Sequence, residues 1–194
     1  MKVLNLYAGI GGNRAEWGDD VEVTAVEFDQ SIANVYQNRF PDDKVIVGDA
    51  VEFLLDNYLD YDFIWASPPC QTHSTIINSQ YTRDSYNAKL PDMSLYQMIL
   101  FLKGHGRKCK WVVENVKPYY EPLIEPTVII DRHLYWSNFH ISDFNVDKKY
   151  LIKYVKVKDA PVDMTGIKDK RQVIRNQVDS RIGKHVLDAA KGFF

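Results

Sequence analysis

Cys70 is the residue around which chemistry can be built. It stands in Pro68-Pro69-Cys70-Gln71, directly after the apolar run Phe63-Ile64-Trp65-Ala66. That run reads as a buried strand, which places the thiol in a turn at the carboxyl edge of the sheet, where open α/β folds bind ligands. Two consecutive prolines fix the backbone ahead of the thiol and remove two N–H donors. A free cysteine taken alone is more often a small core hydrophobe than a nucleophile. The other strand ends change that balance. Tyr7-Ala8-Gly9-Ile10-Gly11-Gly12 follows the first apolar segment, and its glycines let backbone approach a nucleotide-type cofactor closely. Glu27, with Phe28 beside it, closes the second, where a carboxylate meets ribose hydroxyls in Rossmann-type folds. Asp49 and Ala50 follow the third, and Asp49 can accept a hydrogen bond from an adenine amino group. Glu114 leaves Trp111-Val112-Val113 and can serve a bound heterocycle as acid or hydrogen-bond partner. Singly, each of these acids also reads as a cap or a satisfied strand end; at successive strand ends they read as an adenosyl pocket beside a thiol.

The elements that must position these groups alternate between strand-like and helix-like over residues 1–115, the pattern of βαβ units and a parallel sheet. Strands are predicted at 3–7, 21–27, 44–47, 63–66 and 110–114. Helices are predicted after Asp29 as N-cap, stopping before Pro41, and over 51–57 and 94–102. Segments 127–130 and 134–139 read as an antiparallel pair closing the sheet. Residues 67–91 are polar and without period, a long loop of the functional kind. Ser180 reads as the cap of a last helix with Ile182, Val186, Leu187 and Ala190 on its apolar face.

With 194 residues, 45% hydrophobic and 26% charged, the chain suits one globular domain. No run is long enough to span a membrane, and the start lacks the pattern of a signal peptide. Two cysteines argue against a disulfide framework and make a reducing compartment, the cytoplasm, the natural reading. The five histidines show no metal-ligand spacing, so no metal is expected. The net charge of −2 hides an asymmetry, with 12 Lys and Arg against 21 Asp and Glu up to Asp147, and 12 against 5 from Lys148 onwards. Lys148, Lys149, Lys153, Lys156 and Lys158, then Lys168, Lys170, Arg171 and Arg175, read either as a solvated surface or as a polyanion-binding edge.

The ordered set Tyr7 to Gly12, Glu27, Gly48-Asp49-Ala50, Pro68-Pro69-Cys70-Gln71 and Glu114-Asn115-Val116 resembles the cytosine-C5 DNA methyltransferase family over the first two-thirds of the chain. Asp131-Arg132-His133-Leu134-Tyr135-Trp136 is similar to the family's arginine motif, with one arginine where two are common. Arg175-Asn176-Gln177-Val178-Asp179 is similar to the segment that completes the cofactor pocket, with Asn176 in the key position and Arg175 in place of the usual glycine. The resemblance implies a Rossmann-like, mostly parallel α/β sheet with helices on both faces, binding S-adenosylmethionine and leaving S-adenosylhomocysteine. The cofactor would meet Tyr7, Ala8, Gly9, Gly11, Gly12, Glu27, Phe28, Asp49, Ala50, Pro68 and Asn176. It also implies covalent catalysis on a flipped-out cytosine, with Cys70 attacking C6, Glu114 at the N3 and N4 edge, and Arg132 on the O2 side. Residues 67–91 would close over the base. Gln71, His73, Ser74, Lys153, Lys156 and Lys158 would contact nucleic acid, although His73 and Ser74 read equally well as loop structure.

Family members carry a large target-recognition domain between the arginine motif and the last helix, where this chain has only about 35 residues. The organisation expected is a catalytic and cofactor-binding domain over 1–142, a short basic segment over 143–175 in place of target recognition, and a C-terminal helix over 176–194 packing back. DNA is the expected partner, with a separate recognition subunit or a homodimer making up for the short segment, and no membrane. Two alternatives stay open: a cytosine methyltransferase acting on RNA, and a non-catalytic accessory subunit that binds the cofactor. A redox role for Cys70 and Cys109 is weak because no Cys-x-x-Cys occurs.

Overall fold

The computed structural model describes residues 1–75, 89–145 and 162–193. Four short, strongly apolar segments form the parallel centre of a sheet: β1 (Lys2–Leu6), β2 (Glu22–Glu27), β3 (Lys44–Val47) and β4 (Phe63–Ala66). They are joined by β5 (Lys110–Val116), β6 (Val128–Ile130) and β7 (His133–Ser137) in the order β3-β2-β1-β4-β5-β7-β6. The pairs β5/β7 and β6/β7 are antiparallel, the rest parallel. The strand order reverses between β1 and β4, and the crevice outside the carboxyl ends at such a point is where ligands bind.

Every residue of β4 is buried, as a strand covered on both faces must be. Side chains alternate between two layers. Phe63 and Trp65 join Trp17, Val186 and Leu187 on one face; Ile64 and Ala66 join Leu54, Ile99 and Leu102 on the other. The helices that cover these faces are α1 (Gln30–Arg39), α2 (Ala50–Asn57), α3 (Ser94–His105), α4 (Lys170–Arg175) and α5 (Ser180–Lys191). Asp29 caps α1 by accepting from the N–H groups of Ser31 and Ile32, and Asp49 caps α2 through those of Val51 and Glu52. Each such cap contributes about 1 kcal/mol.

Two local expectations are corrected. The cap of α5 is Asp179, whose carboxylate accepts from Arg181 N–H at 3.0 Å, while Ser180 is the first helical residue and its hydroxyl turns to Glu16. Within the basic stretch, residues 170–175 form the short helix α4 after an Asp169 cap. Ile174 packs with Ile10, Val35, Met164 and Ile167, so this end of the stretch is sewn onto the body beside the glycine turn. The lysines at 148, 149, 153, 156 and 158 lie outside the described residues.

Helix α5 presses on the one-turn helix Asn13–Glu16 that follows the glycine turn. A Cβ on Gly183 would stand 2.1 Å from the Asn13 carbonyl oxygen. Asn13 is itself fixed, donating through Nδ2 to Asn5 Oδ1 at 2.9 Å inside the core. Gly183→Ala is therefore expected to lower stability by about 2–3 kcal/mol, read as a drop in Tm; an unchanged Tm would mean that α5 does not bear on this turn.

Candidate active site

Register brings the functional strand ends together. Leu6 pairs with Val26 and with Ala66, and Ala66 with Val113, so the next residues, Tyr7, Glu27, Ser67 and Glu114, emerge side by side along one edge. One cleft there is lined by Tyr7, Glu27, Asp49, Cys70, Glu114 and Arg132, and also by Phe28 and Asn176.

The glycine turn is latched to β2, since Gly9 N–H donates to Glu27 Oε2 at 2.9 Å while Asp29 N–H donates to Oε1 at 3.0 Å. Tyr7, Gly9 and Gly11 all take positive φ. The three glycines serve different ends. Only at Gly9 does a Cβ position open into free space. At Gly11 it would strike the Phe40 and Tyr36 rings, and at Gly12 the Val178 carbonyl. Gly11 and Gly12 are thus required by packing as well, and Gly12 lines the cleft together with Gly9.

The Pro-Pro-Cys turn is held from three sides. Asn115 Nδ2 donates to the Pro68 carbonyl at 2.9 Å, and the N–H groups of His73 and Ser74 donate to the Cys70 carbonyl. Tyr119 N–H donates to the His73 carbonyl at 3.0 Å. His73 is fully buried, and both ring nitrogens are engaged, Nε2 with the Asp92 carbonyl at 2.9 Å and Nδ1 with the Tyr120 hydroxyl. A carbonyl can only accept, so Nε2 carries the proton and the ring is neutral when Nδ1 accepts from Tyr120. Its expected contact with nucleic acid is corrected on this ground: His73 is the rivet of the turn. Gln71 and Ser74 do line the cleft.

Residues 1–117, more than half of the 194, match the C-5 cytosine-specific DNA methylase family. The chain belongs to that family. No protein with a curated functional description matches it. Among solved structures, a DNMT2 variant from Spodoptera frugiperda is 26% identical over 63% of this chain and 37% of its own, with a TM-score of 0.44. A candidate DNA modification methyltransferase from a prophage of E. coli is 25% identical over 62% of this chain and 34% of its own, at a TM-score of 0.39. The chain thus spans little more than a third of the length of either. The methyltransferase EhMeth of Entamoeba histolytica is 13% identical, at a TM-score of 0.56 over 100% of this chain and 98% of its own, a likeness of fold.

C-5 methylases use S-adenosylmethionine, and the cleft fits it. Glu27 offers an oriented carboxylate for a ribose diol. Asp49 spends Oδ1 on the cap of α2, which leaves Oδ2 for an amino group. Phe28, 76% exposed beside Glu27, presents a bare aromatic face suited to a purine. An Asp49→Ala variant should bind S-adenosylmethionine about tenfold more weakly in calorimetry, the worth of one hydrogen bond to a charged group; equal affinity would remove Asp49 from the pocket.

The thiol of Cys70 and the carboxyl of Glu114 differ from a simple activated pair. Burial pushes the Cys70 thiol above its usual value, as does the nearby Glu114, while Arg132 and Arg175 draw it down. The expected nucleophile is therefore a protonated thiol at rest. Glu114, 5% exposed, is pushed up to about 7 by burial, against the hydrogen bond from Ser67 and the charge of Arg132. Near neutrality it is an acid with a proton to give. Ser67, which the motif reading did not single out, also accepts from Trp65 Nε1 at 2.8 Å and so is oriented from within the core.

A carboxyl raised on folding binds extra protons in the native state, so its contribution to stability is full below about 4.5 and is lost as pH rises through about 7. In urea titrations, wild type should lose up to about 3 kcal/mol across that window relative to Glu114→Gln. Parallel pH curves would contradict a buried, raised Glu114.

Proposed function

We propose that the chain is a DNA (cytosine-5)-methyltransferase that moves a methyl group from S-adenosylmethionine to C5 of a flipped-out cytosine through a covalent Cys70 adduct. The observation that carries this reading is the meeting of Cys70, Glu114 and Arg132 in one cleft with the cofactor residues Gly9, Glu27 and Asp49.

Cytosine C5 is too electron-poor to take a methyl group directly. Addition of the Cys70 Sγ to C6 turns the ring into an enamine with a nucleophilic C5. Glu114 gives its proton to N3 as charge collects there, and a carboxyl titrating near 7 is matched to that task. Cys70 and Glu114 share one proton over a wide pH range, and the reacting arrangement has it on the carboxyl and off the thiol. Arg132, part-buried at the cleft, faces the developing charge on the O2 side. Bound S-adenosylmethionine supplies the electrophilic methyl group. Transfer of the C5 proton to a base, return of the N3 proton to Glu114 and expulsion of Cys70 as thiolate then restore the aromatic ring and the enzyme.

Lys168, Arg171 and Arg175 line the same cleft beside Arg132, a cationic mouth suited to a phosphate backbone. Labelled methyl transfer to DNA of mixed sequence, with matched RNA in parallel and mapping of 5-methylcytosine, tests the reading. Label in DNA at C5 supports it. Label in RNA alone transfers the chemistry to the other substrate, and label in neither rejects it.

A further inference from the structure

Arg175 stands outside the catalytic roles assigned so far, yet it lines the same cleft as the reacting groups. It is the last residue of α4 and precedes Asn176, and both line the cleft that holds Cys70 and Glu114. Its backbone is pinned there in two ways. Arg132 Nη2 donates to the Arg175 carbonyl at 3.0 Å, tying α4 to the turn before β7. Three residues on, the chain passes so close under the glycine turn that a Cβ on Gly12 would stand 2.7 Å from the Val178 carbonyl. The two arginines thus meet at one side of the cleft, while the single buried acid, Glu114, faces the thiol from β5.

We propose that Arg175 is a second arginine of the reaction centre, held against Arg132 by the Arg132–Arg175 carbonyl bond and stabilising the Cys70 thiolate as it forms. This rests on the reading of Cys70 as the nucleophile. The charges that face the thiol are Glu114, which opposes thiolate formation, and Arg132 and Arg175, which favour it. Arg132 has two duties, since it also pulls Glu114 down and so works against the acid that must protonate the base. Arg175, at the end of α4 and lining the same cleft, adds a second positive charge that opposes Glu114 at the thiol and eases the proton off sulfur. Lys170 begins the same helix but is not part of the cleft lining, and its charge bears on Asp163.

The test is the pH dependence of iodoacetamide alkylation of Cys70, followed by the mass of its peptide, without DNA or cofactor. Arg175→Gln should raise the alkylation midpoint by about half a pH unit, from one charge removed at cleft distance, and Arg175→Lys should restore most of it. Lys170→Gln should leave the midpoint in place. Because the bond from Arg132 goes to the backbone of residue 175, it survives both Arg175 substitutions, and an unchanged Tm confirms this. Equal midpoints in wild type and Arg175→Gln would overturn the proposal, as would an equal rise in Lys170→Gln, which would reduce it to the general field of the helix. The measurement does not depend on turnover. Failure of wild type to form an adduct with 5-fluorocytosine DNA would instead remove the nucleophile reading itself.

Discussion

Cys70→Ala is expected to lose methyl transfer by roughly 1,000-fold or more, the scale on which a covalent nucleophile fails when removed. Among the described residues Cys70 is the only thiol lining the cleft, and without addition to C6 the C5 position does not become nucleophilic. Cofactor affinity should hold, because the adenosyl groups Glu27 and Asp49 sit on other strand ends and Cys70 makes no side-chain bond to them. Single-turnover assays with labelled cofactor, alongside calorimetry, separate the two effects. Turnover within tenfold of wild type would mean that another group performs the addition.

Glu114→Gln is expected to cost 100-fold to 10,000-fold in turnover, the range for loss of a positioned general acid. It should also change the shape of the pH profile. In wild type, kcat/KM rises as the first proton leaves the pair near the Glu114 value of about 7, then holds level while the pair keeps one proton. It falls once the second is lost, above the usual thiol range, to which burial moves Cys70. In Glu114→Gln the limb near 7 disappears and the residual rate climbs with ionisation of Cys70 alone. A Gln variant that keeps the limb near 7 would assign it to another group.

The sheet and its functional edge were legible because each strand is a short apolar run closed by a residue with a special backbone or charge. Asp29 and Asp49 announce helices by cap chemistry, and Pro68-Pro69 announces the turn that carries Cys70. What sequence spacing did not carry was set by contacts between distant residues. His73 follows Cys70 by three positions and looked available to nucleic acid, but Tyr120 and the Asp92 carbonyl claim its ring inside the fold. Gly11 and Gly12 carry a packing demand the spacing did not show, because a Cβ there would strike Phe40, Tyr36 and Val178. Arg175 read as a cation in the segment that completes the cofactor pocket, and its tie to Arg132 through the backbone carbonyl was not visible in the spacing. Helix α4 was missed because six residues with two neighbouring apolar positions give no readable period.

Wild-type protein should be incubated with S-adenosylmethionine and duplex DNA in which cytosine is replaced by 5-fluorocytosine, then denatured and digested for mass analysis. Fluorine at C5 cannot leave as the proton does, so the adduct should persist, carrying a transferred methyl group and joined to the peptide that contains Cys70. A methylated adduct at Cys70 is the result the account predicts. Methyl transfer with no trapped adduct, or an adduct on any other residue, would contradict it.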